Sequence, residues 1–399
     1  MSSVSIAVLP GDGIGPEITA AAVRVLRRAA DVYGFALDLR EAEIGFAALE
    51  TSGTTCPDGV VEMAREVGAV ILGPVSHNEY PPRTEGGINP SGTLRTALDL
   101  YANIRPARTH PAVPSVAAEM DLVIVRENTE GFYADRNMPS GPAEFLVVPG
   151  VGIAMRKITA LASQRVARVA FELAAGRRRQ VVAVHKANVM RLTDGIFLGE
   201  MRRIAAAHPD IAYSEMLVDA ATAHLIRTPA RFDVIATTNM FGDILSDEAA
   251  ELAGGLGLGA SLNAGDEHAM AQAQHGSAPD IAGRGIANPA SLMLSVAMLL
   301  GWLARRHGRD ELAEAAAAIG NAVDQALTRP ATRTADLGGR AGTESMTDAV
   351  VAAIAEQGHG RWIPTVYVWR RTKFASWRFA RLPAPAWATA TRTKPWTSS

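Results

Sequence analysis

Asp243 and Asp247 stand four residues apart in the stretch FGDILSDEAA. On a helix that spacing puts both carboxylates on one face, where like charges cost about 0.2–0.5 kcal/mol. Glu248 and Glu251 add to the crowding. Two carboxylates one turn apart can also share a cation. Hard oxygen ligands without a neighbouring histidine or cysteine suit Mg²⁺ or Mn²⁺ rather than Zn²⁺. Asp219, at the end of the apolar run in MLVDAAT, offers a third carboxylate. A solvated acidic face is the commoner origin of such a pair, so the aspartates need further context.

Arginines supply it. Arg95 and Arg105 lie in TLRTALDLYANIRPAR, and Arg126 and Tyr133 in IVRENTEGFY. A guanidinium is a planar fork that matches a carboxylate, and three of them near loops suit a small di- or triacid. Each alone is better explained by a surface ion pair with Asp99, Glu127 or Glu130. Lys186, in AVHKANVMRLTDG, follows the apolar run Val181–Val184. Burial lowers the pKa of a lysine and makes it a usable general base, whereas an exposed loop lysine would be inert.

These groups need elements to hold them. Val4–Leu9, Phe35–Ala42, Ala69–Leu72, Asp121–Val125, Val181–Val184 and Phe232–Thr237 read as strands. A helix is predicted from Pro16 to Gly34, and others over Val151–Ala175, Leu192–Ala207, Ala220–Leu225 and Ile244–Ala253. Alternating strands and helices predict an α/β fold with a largely parallel sheet and ligands beyond the carboxyl ends of strands. SLMLSVAMLLGWLA is too short to span a bilayer and predicts a buried helix. A net charge of −2 gives no reason to expect nucleic acid or membrane as a partner. The single Cys56 excludes an intramolecular disulfide, and the amino terminus lacks a basic leader, so a cytoplasmic location is expected. Beyond Glu356 the chain turns basic and aromatic and carries no acid, so 359–399 is expected to be a poorly ordered tail.

In order and spacing, LPGDGIGPE, VRENTEGFY, HKANVM, NMFGDILSDEAAELAGGLGL, HGSAPDIAGRGIANP and AGTESMTDAV resemble the metal-dependent β-decarboxylating dehydrogenases, the isocitrate/isopropylmalate dehydrogenase family. The resemblance runs to about residue 358. It implies an isopropylmalate-dehydrogenase-like fold of two domains sharing the sheet: 1–100 with 255–358 for the cofactor, and 101–254 for substrate, metal and dimerisation. It implies that Asp219, Asp243 and Asp247 hold Mg²⁺ or Mn²⁺ and that Arg95, Arg105 and Arg126 clamp the carboxylates of a hydroxy-acid substrate. Ser91, Asn89 and Asn188 fall among its substrate-binding positions. Tyr133 and Lys186 match its acid/base pair. In that family Lys186 and Asp219 enter from the neighbouring subunit, so a homodimer is expected.

GDGIGPE is not a dinucleotide fingerprint, because Pro16 replaces the third glycine; a tight strand-to-helix turn describes it better. The resemblance places NAD instead at His275, Gly276, Ser277, Ala278, Asp280 and Asn288, with Ile14. Asp280 would accept bonds from the ribose hydroxyls and repel a 2′-phosphate, which favours NAD over NADP. Gln272-Ala273-Gln274 departs from the family's usual Glu-Pro-Val. Selectivity is expected just before Arg95, where Asn89, Ser91 and Gly92 are polar or small. That leans towards isocitrate, homoisocitrate, tartrate or D-malate and away from 3-isopropylmalate. A catalytically silent regulatory subunit is the alternative from another class.

Overall fold

The structure, a computed structural model, describes residues 3–133 and 143–357. The tail expected at 359–399 lies outside the described residues. The first strand, β1 (Val4–Leu9), is almost wholly buried and ends at Pro10-Gly11. Helix α1 (Gly15–Tyr33) then starts with Pro16 in its first turn and Glu17 against its positive end. It stops at Gly34, whose φ of 73° is left-handed and whose N–H closes on the Ala30 carbonyl. Helices α2 (Phe46–Ser52), α3 (Asp58–Val67) and α4 (Pro90–Ala97) complete the first hundred residues, with β2 (Leu37–Glu41) and β3 (Ala69–Leu72).

The middle of the chain contributes β4 (Ala102–Arg108), β5 (Asp121–Glu127), the hairpin β6 (Glu144–Val148) and β7 (Val151–Ala154), β8 (Gln180–His185), β9 (Ala212–Leu217) and β10 (Val234–Thr237). Its helices are α5 (Ala160–Ala175), α6 (Thr193–Ala206), α7 (Val218–Arg227) and α8 (Asn239–Ala253). Strands β11 (Leu262–Ala264) and β12 (Ala269–Gln272) follow, then α9 (Ala290–His307), α10 (Asp310–Leu327) and α11 (Thr343–Gln357).

Ten strands form one sheet in the order β2-β1-β3-β12-β11-β4-β5-β10-β8-β9. Six of the nine neighbouring pairs are parallel. The antiparallel ones, β12–β11, β11–β4 and β4–β5, all lie at the centre. One half of the sheet is thus built from the chain's two ends and the other from its middle, meeting where β11 pairs with β4. Helix α9 runs beneath this arrangement with Ala290 to Ala304 all buried, as its apolar sequence requires. Among the described residues no helix is long and apolar enough to cross a membrane.

Two readings are corrected. The helix expected from Val151 begins only at Ala160, where Thr159 accepts a bond from the Ala162 N–H. Val151–Ala154 is a strand, because Gly150 at φ 82° turns the chain into a hairpin. Strand β4 was not expected at all, since Arg105 and Pro106 break its apolar run.

The core predicts its own test. Leu299 on α9 is fully buried within the main apolar cluster. Leu299→Ala should lower unfolding stability by about 2–5 kcal/mol in urea titration; a loss below about 1 kcal/mol would show that α9 is not packed as described.

Candidate active site

Arg105 on β4 and Arg126 on β5 lie on adjacent antiparallel strands, with Asn103 opposite Arg126 and Ile124 opposite Arg105. Both guanidiniums are buried. They are accommodated by α8, which lies over the two strands. The Asn239 Oδ1 accepts from Arg126 Nε at 3.0 Å and from Nη2 at 2.7 Å. Asp243 Oδ1 pairs with Arg126 Nη1 and lies 3.4 Å from Arg105 Nη1. Arg105 Nη1 also donates to Asp247 Oδ1 at 3.0 Å and to Ser246 Oγ at 2.7 Å. Helix α8 comes this close because residue 242 is glycine: a Cβ there would sit 2.6 Å from the Cβ and Cγ of Arg126.

Tyr133 joins the same cluster. Its hydroxyl donates to Asp243 Oδ2 at 2.5 Å, and Arg126 lies over its ring at 5.4 Å. Arg95, buried on α4, donates through Nη2 to Gln272 Oε1 at 3.0 Å. Burial raises the Asp243 carboxyl, but Arg126, Arg105, the Tyr133 hydroxyl and Arg95 together outweigh it and hold the group below its ordinary value. Burial, then repulsion from Arg126, brings the Arg105 guanidinium down to about 10, which leaves it charged at neutral pH.

Lys186 and Asp219 form a second group. Lys186 Nζ pairs with Asp219 Oδ2 at 2.8 Å, and that bond depresses the Asp219 carboxyl. Asp219 sits in the first turn of α7, directly after the end of β9. Among the described residues no three acidic, histidine or cysteine side chains converge as a metal site. The donors Asp243 and Asp247 suit a hard divalent cation, but within one chain they are two ligands and not three.

The sequence profile of the isocitrate/isopropylmalate dehydrogenase family matches residues 5–350. The chain belongs to this family. It is 41% identical over 345 residues to the 3-isopropylmalate dehydrogenase of Saccharolobus solfataricus, spanning 86% of this chain and 98% of that one. It is 44% identical over 351 residues to the isocitrate/homoisocitrate dehydrogenase of Thermus thermophilus, spanning 88% and 98%. The crystal structure of isocitrate dehydrogenase from Methylococcus capsulatus superposes with a TM-score of 0.78 at 38% identity, covering 88% of this chain and 99% of that one. An isocitrate/isopropylmalate dehydrogenase family member is an oxidoreductase, and oxidative decarboxylation of a hydroxy acid is the activity that membership carries.

The other expected positions of this dehydrogenase fall into two sets. Around the carboxylate cluster, the Ser91 hydroxyl donates to Gln272 Oε1 at 3.1 Å, while Asn89 spends its side chain capping α4 through the Gly92 N–H. Asn188 is exposed in the loop after β8. Around the cofactor loop, the Ile14 N–H donates to the Ser277 carbonyl at 2.8 Å, and Ser277 Oγ meets Ser76 Oγ at 2.7 Å. Gly276 borders open space, Ala278 takes a left-handed φ of 39°, and Asp280 is exposed beside it. Asn288 donates to Asp336, a residue the sequence reading did not single out. The His275 Nε2 is buried with no partner, and burial holds that ring below its ordinary pKa. In the stretch SHNEYPPRTEGG the Tyr80 hydroxyl donates to Asp12, whose carboxylate also accepts from the Phe46 and Ser76 N–H groups.

Two further supports were missed. Asn239 holds Arg126. The fully buried Asp194 accepts the Lys186 N–H at 2.5 Å and pairs with Arg156 at 2.5 Å. In the same loop as Tyr133, Glu130 is buried and near Glu127, and burial followed by that repulsion raises its carboxyl to about 7. Its raised value means the native state keeps a proton that the unfolded chain loses from its ordinary 4.5 upward. The resulting penalty is absent below that value, grows as pH rises, and is complete above about 7. Glu130→Gln should therefore be more stable than wild type above pH 7, by a margin on the order of 2 kcal/mol, and should lose that margin near pH 4. A pH-independent margin in urea titrations would contradict this.

Proposed function

We propose that the protein is an NAD-dependent, Mg²⁺- or Mn²⁺-dependent dehydrogenase of a 3-substituted (R)-malate-type 2-hydroxy acid, of the isocitrate, homoisocitrate, tartrate or D-malate kind. One observation carries this reading: Arg105, Arg126, Tyr133, Asp243 and Asp247 form one hydrogen-bonded cluster at the centre of the sheet. That cluster joins carboxylate recognition, cation binding and a proton donor in one place. The competing substrate is 3-isopropylmalate, after which the Saccharolobus solfataricus relative is named. Its branched apolar group finds little to pack on in Asn89, Ser91 and Gly92.

Asp243 and Asp247 would hold the cation from one chain. Asp219 of a second copy would complete the set, bringing Lys186 with it. A homodimer is supported by an apolar surface on this chain: the hairpin exposes Phe145, Leu146, Val147, Val148, Val151 and Ile153, and Leu192 and Ile244 are exposed nearer the site residues. The loop at His275–Ala278 fits a dinucleotide by its open glycine, its orphaned imidazole nitrogen and its neighbour Asp280, which favours NAD. Residues 1–100 with 255–358 would then carry the cofactor, and 101–254 the cation and dimer contact.

When bound, the cation supplies Lewis acidity at the C2 oxygen and NAD supplies the hydride acceptor. Lys186 takes the proton of the C2 hydroxyl. Arg95, Arg105 and Arg126 hold the carboxylates so that the bond to the departing CO₂ is fixed in orientation. Tyr133 returns a proton to C3. Its hydroxyl donates to Asp243 Oδ2, on one of the carboxylates that would hold the cation.

The shared site predicts complementation. Lys186→Ala and Tyr133→Phe homodimers should each lose roughly 10²–10⁴-fold in kcat. Co-refolded together, they should recover about a quarter of wild-type activity, because half of the dimers then contain one intact site. Absence of recovery in NADH formation with Mn²⁺ would show that each chain carries its own complete site.

A further inference from the structure

Gln274 lies just beyond the end of β12, on the half of the sheet built from the chain's two ends. Its side chain crosses to α8 on the other half. Nε2 donates to Asp247 Oδ1 at 2.8 Å and to the Ser246 carbonyl at 2.9 Å. Both neighbours of that nitrogen are acceptors, so the amide has one workable orientation; turned over, it would set oxygen against oxygen. Oε1 lies against Gly259, where a Cβ would come to 2.6 Å from it, and it is buried with no partner among the described residues. A buried oxygen without a donor costs stability. The residue is also fixed from behind, because the Gln274 N–H donates to Ser291 Oγ at 3.2 Å.

The oxygens of Asp243 and Asp247 are not equivalent. Asp243 Oδ1 pairs with Arg126 and lies 3.4 Å from Arg105 Nη1, and its Oδ2 accepts the Tyr133 hydroxyl. Asp247 Oδ1 accepts from Arg105 Nη1 at 3.0 Å and from Gln274. Asp247 Oδ2 accepts no hydrogen bond among the described residues. The Asp247 side chain is half-exposed, so without those two donors it would be free to rotate. Two donors on one oxygen hold the other in a fixed direction. A carboxylate ordered in advance gives up less freedom when a metal arrives, which is how partners outside the coordination sphere raise metal affinity.

We propose that Gln274 is a positioning residue for the divalent cation. Its amide pins Asp247 Oδ1 from the opposite half of the sheet and leaves Oδ2 as the oxygen that the cation takes. This rests on the cation reading above, and it adds to that reading a residue that acts through Asp247.

The test is binding of Mn²⁺ alone to the full-length protein, read from the EPR signal of the free ion, beside thermal unfolding with and without Mn²⁺. Gln274→Met removes the donor and keeps the length of the side chain. It should weaken Mn²⁺ by about threefold or more in Kd. Its melting temperature without metal should stay within about 2 °C of wild type or rise, because the orphaned oxygen goes with the amide. The rise in melting temperature that Mn²⁺ gives the wild type should shrink. An amide with a merely structural role would lower the metal-free melting temperature instead. Gly259→Ala, which displaces the amide without removing it, should copy the loss of affinity.

A change in Kd below about threefold in Gln274→Met overturns the proposal, as does a weaker Kd accompanied by a fall of more than about 2 °C in the metal-free protein. Should Gln274→Met not fold, Gly259→Ala decides by the same limits. Asp247→Asn fixes the site: if it leaves Mn²⁺ binding unchanged, the ion lies elsewhere and both the cation reading and the proposal fall. A wild type that binds no Mn²⁺ also sinks both. A wild type that binds Mn²⁺ through Asp247 but reduces no NAD with any of the hydroxy acids sinks the dehydrogenase reading alone, and the Mn²⁺ Kd still judges Gln274.

Discussion

Two buried guanidiniums on neighbouring strands are the constraint around which this molecule is arranged. Arg105 and Arg126 repel each other and are stripped of water, a combination that would be prohibitive without anionic partners. Helix α8 supplies them, with Asn239, Asp243, Ser246 and Asp247 on the face that meets β4 and β5. The crowding of Asp243 and Asp247 is thus relieved by arginine. Gly242 follows from the same demand, because only a residue without a side chain lets the helix lie on the Arg126 stem.

That arrangement explains why the sheet is antiparallel at its centre and parallel elsewhere. Pairing β4 antiparallel to β5 sets Arg105 beside Arg126, and inserting β11 carries the end of β12 to the same place. The seam is polar for a buried region. The Asn103 amide donates to Ser261 and to Asn263 at 2.8 and 3.1 Å, Asn128 donates to Asn263 at 3.0 Å, and Asn263 reaches Gln272. These amide donors meet their acceptors in one strand register, and a slip by one residue would turn every amide away from its partner. Fixed register here is what keeps Arg95, held from β12, close enough to act on Asp243 beside β4 and β5.

How far the sequence discloses this depends on the range of each signal. Strands β1, β3 and β8 are continuous apolar runs, and α1 carries its own start and stop in Pro16 and Gly34, so these were legible locally. Asp243, Asp247, Arg105 and Arg126, which the structure brings together, stand out by residue type, while Asp219 lies apart on Lys186. Strand β4 was not, because its pattern, ANIRPAR, makes sense only when the cost of burying Arg105 is met by Ser246 and Asp247, 141 and 142 residues away. Gln272 and Gln274 were visible as a departure from a pattern, but their partners lie 177 and 27 residues away. Asn89 illustrates the converse: its type suggested a ligand contact, while its position before Pro90 made it a helix cap.

The pair of Arg156 and Asp194 shows what such distant partners are for. Arg156 donates to Asp194 and Thr193, reaches Thr238 at 3.0 Å, and lies over the rings of Phe132 and Phe241. Asp194 in turn accepts the Lys186 N–H. One buried ion pair therefore touches the neighbour of Tyr133, the start of α8 and the backbone of Lys186. A buried pair of this kind is weak evidence for stability, since its desolvation offsets much of its attraction. Its consequence is geometric: the segments that carry Tyr133 and Lys186 share a single anchor. The amides at the end of β12 fix Arg95 and Asp247 by the same logic from the opposite half of the sheet. The polar side chains of the cluster can then be few and ordinary, because each is held still by a neighbour that a distant part of the chain supplies.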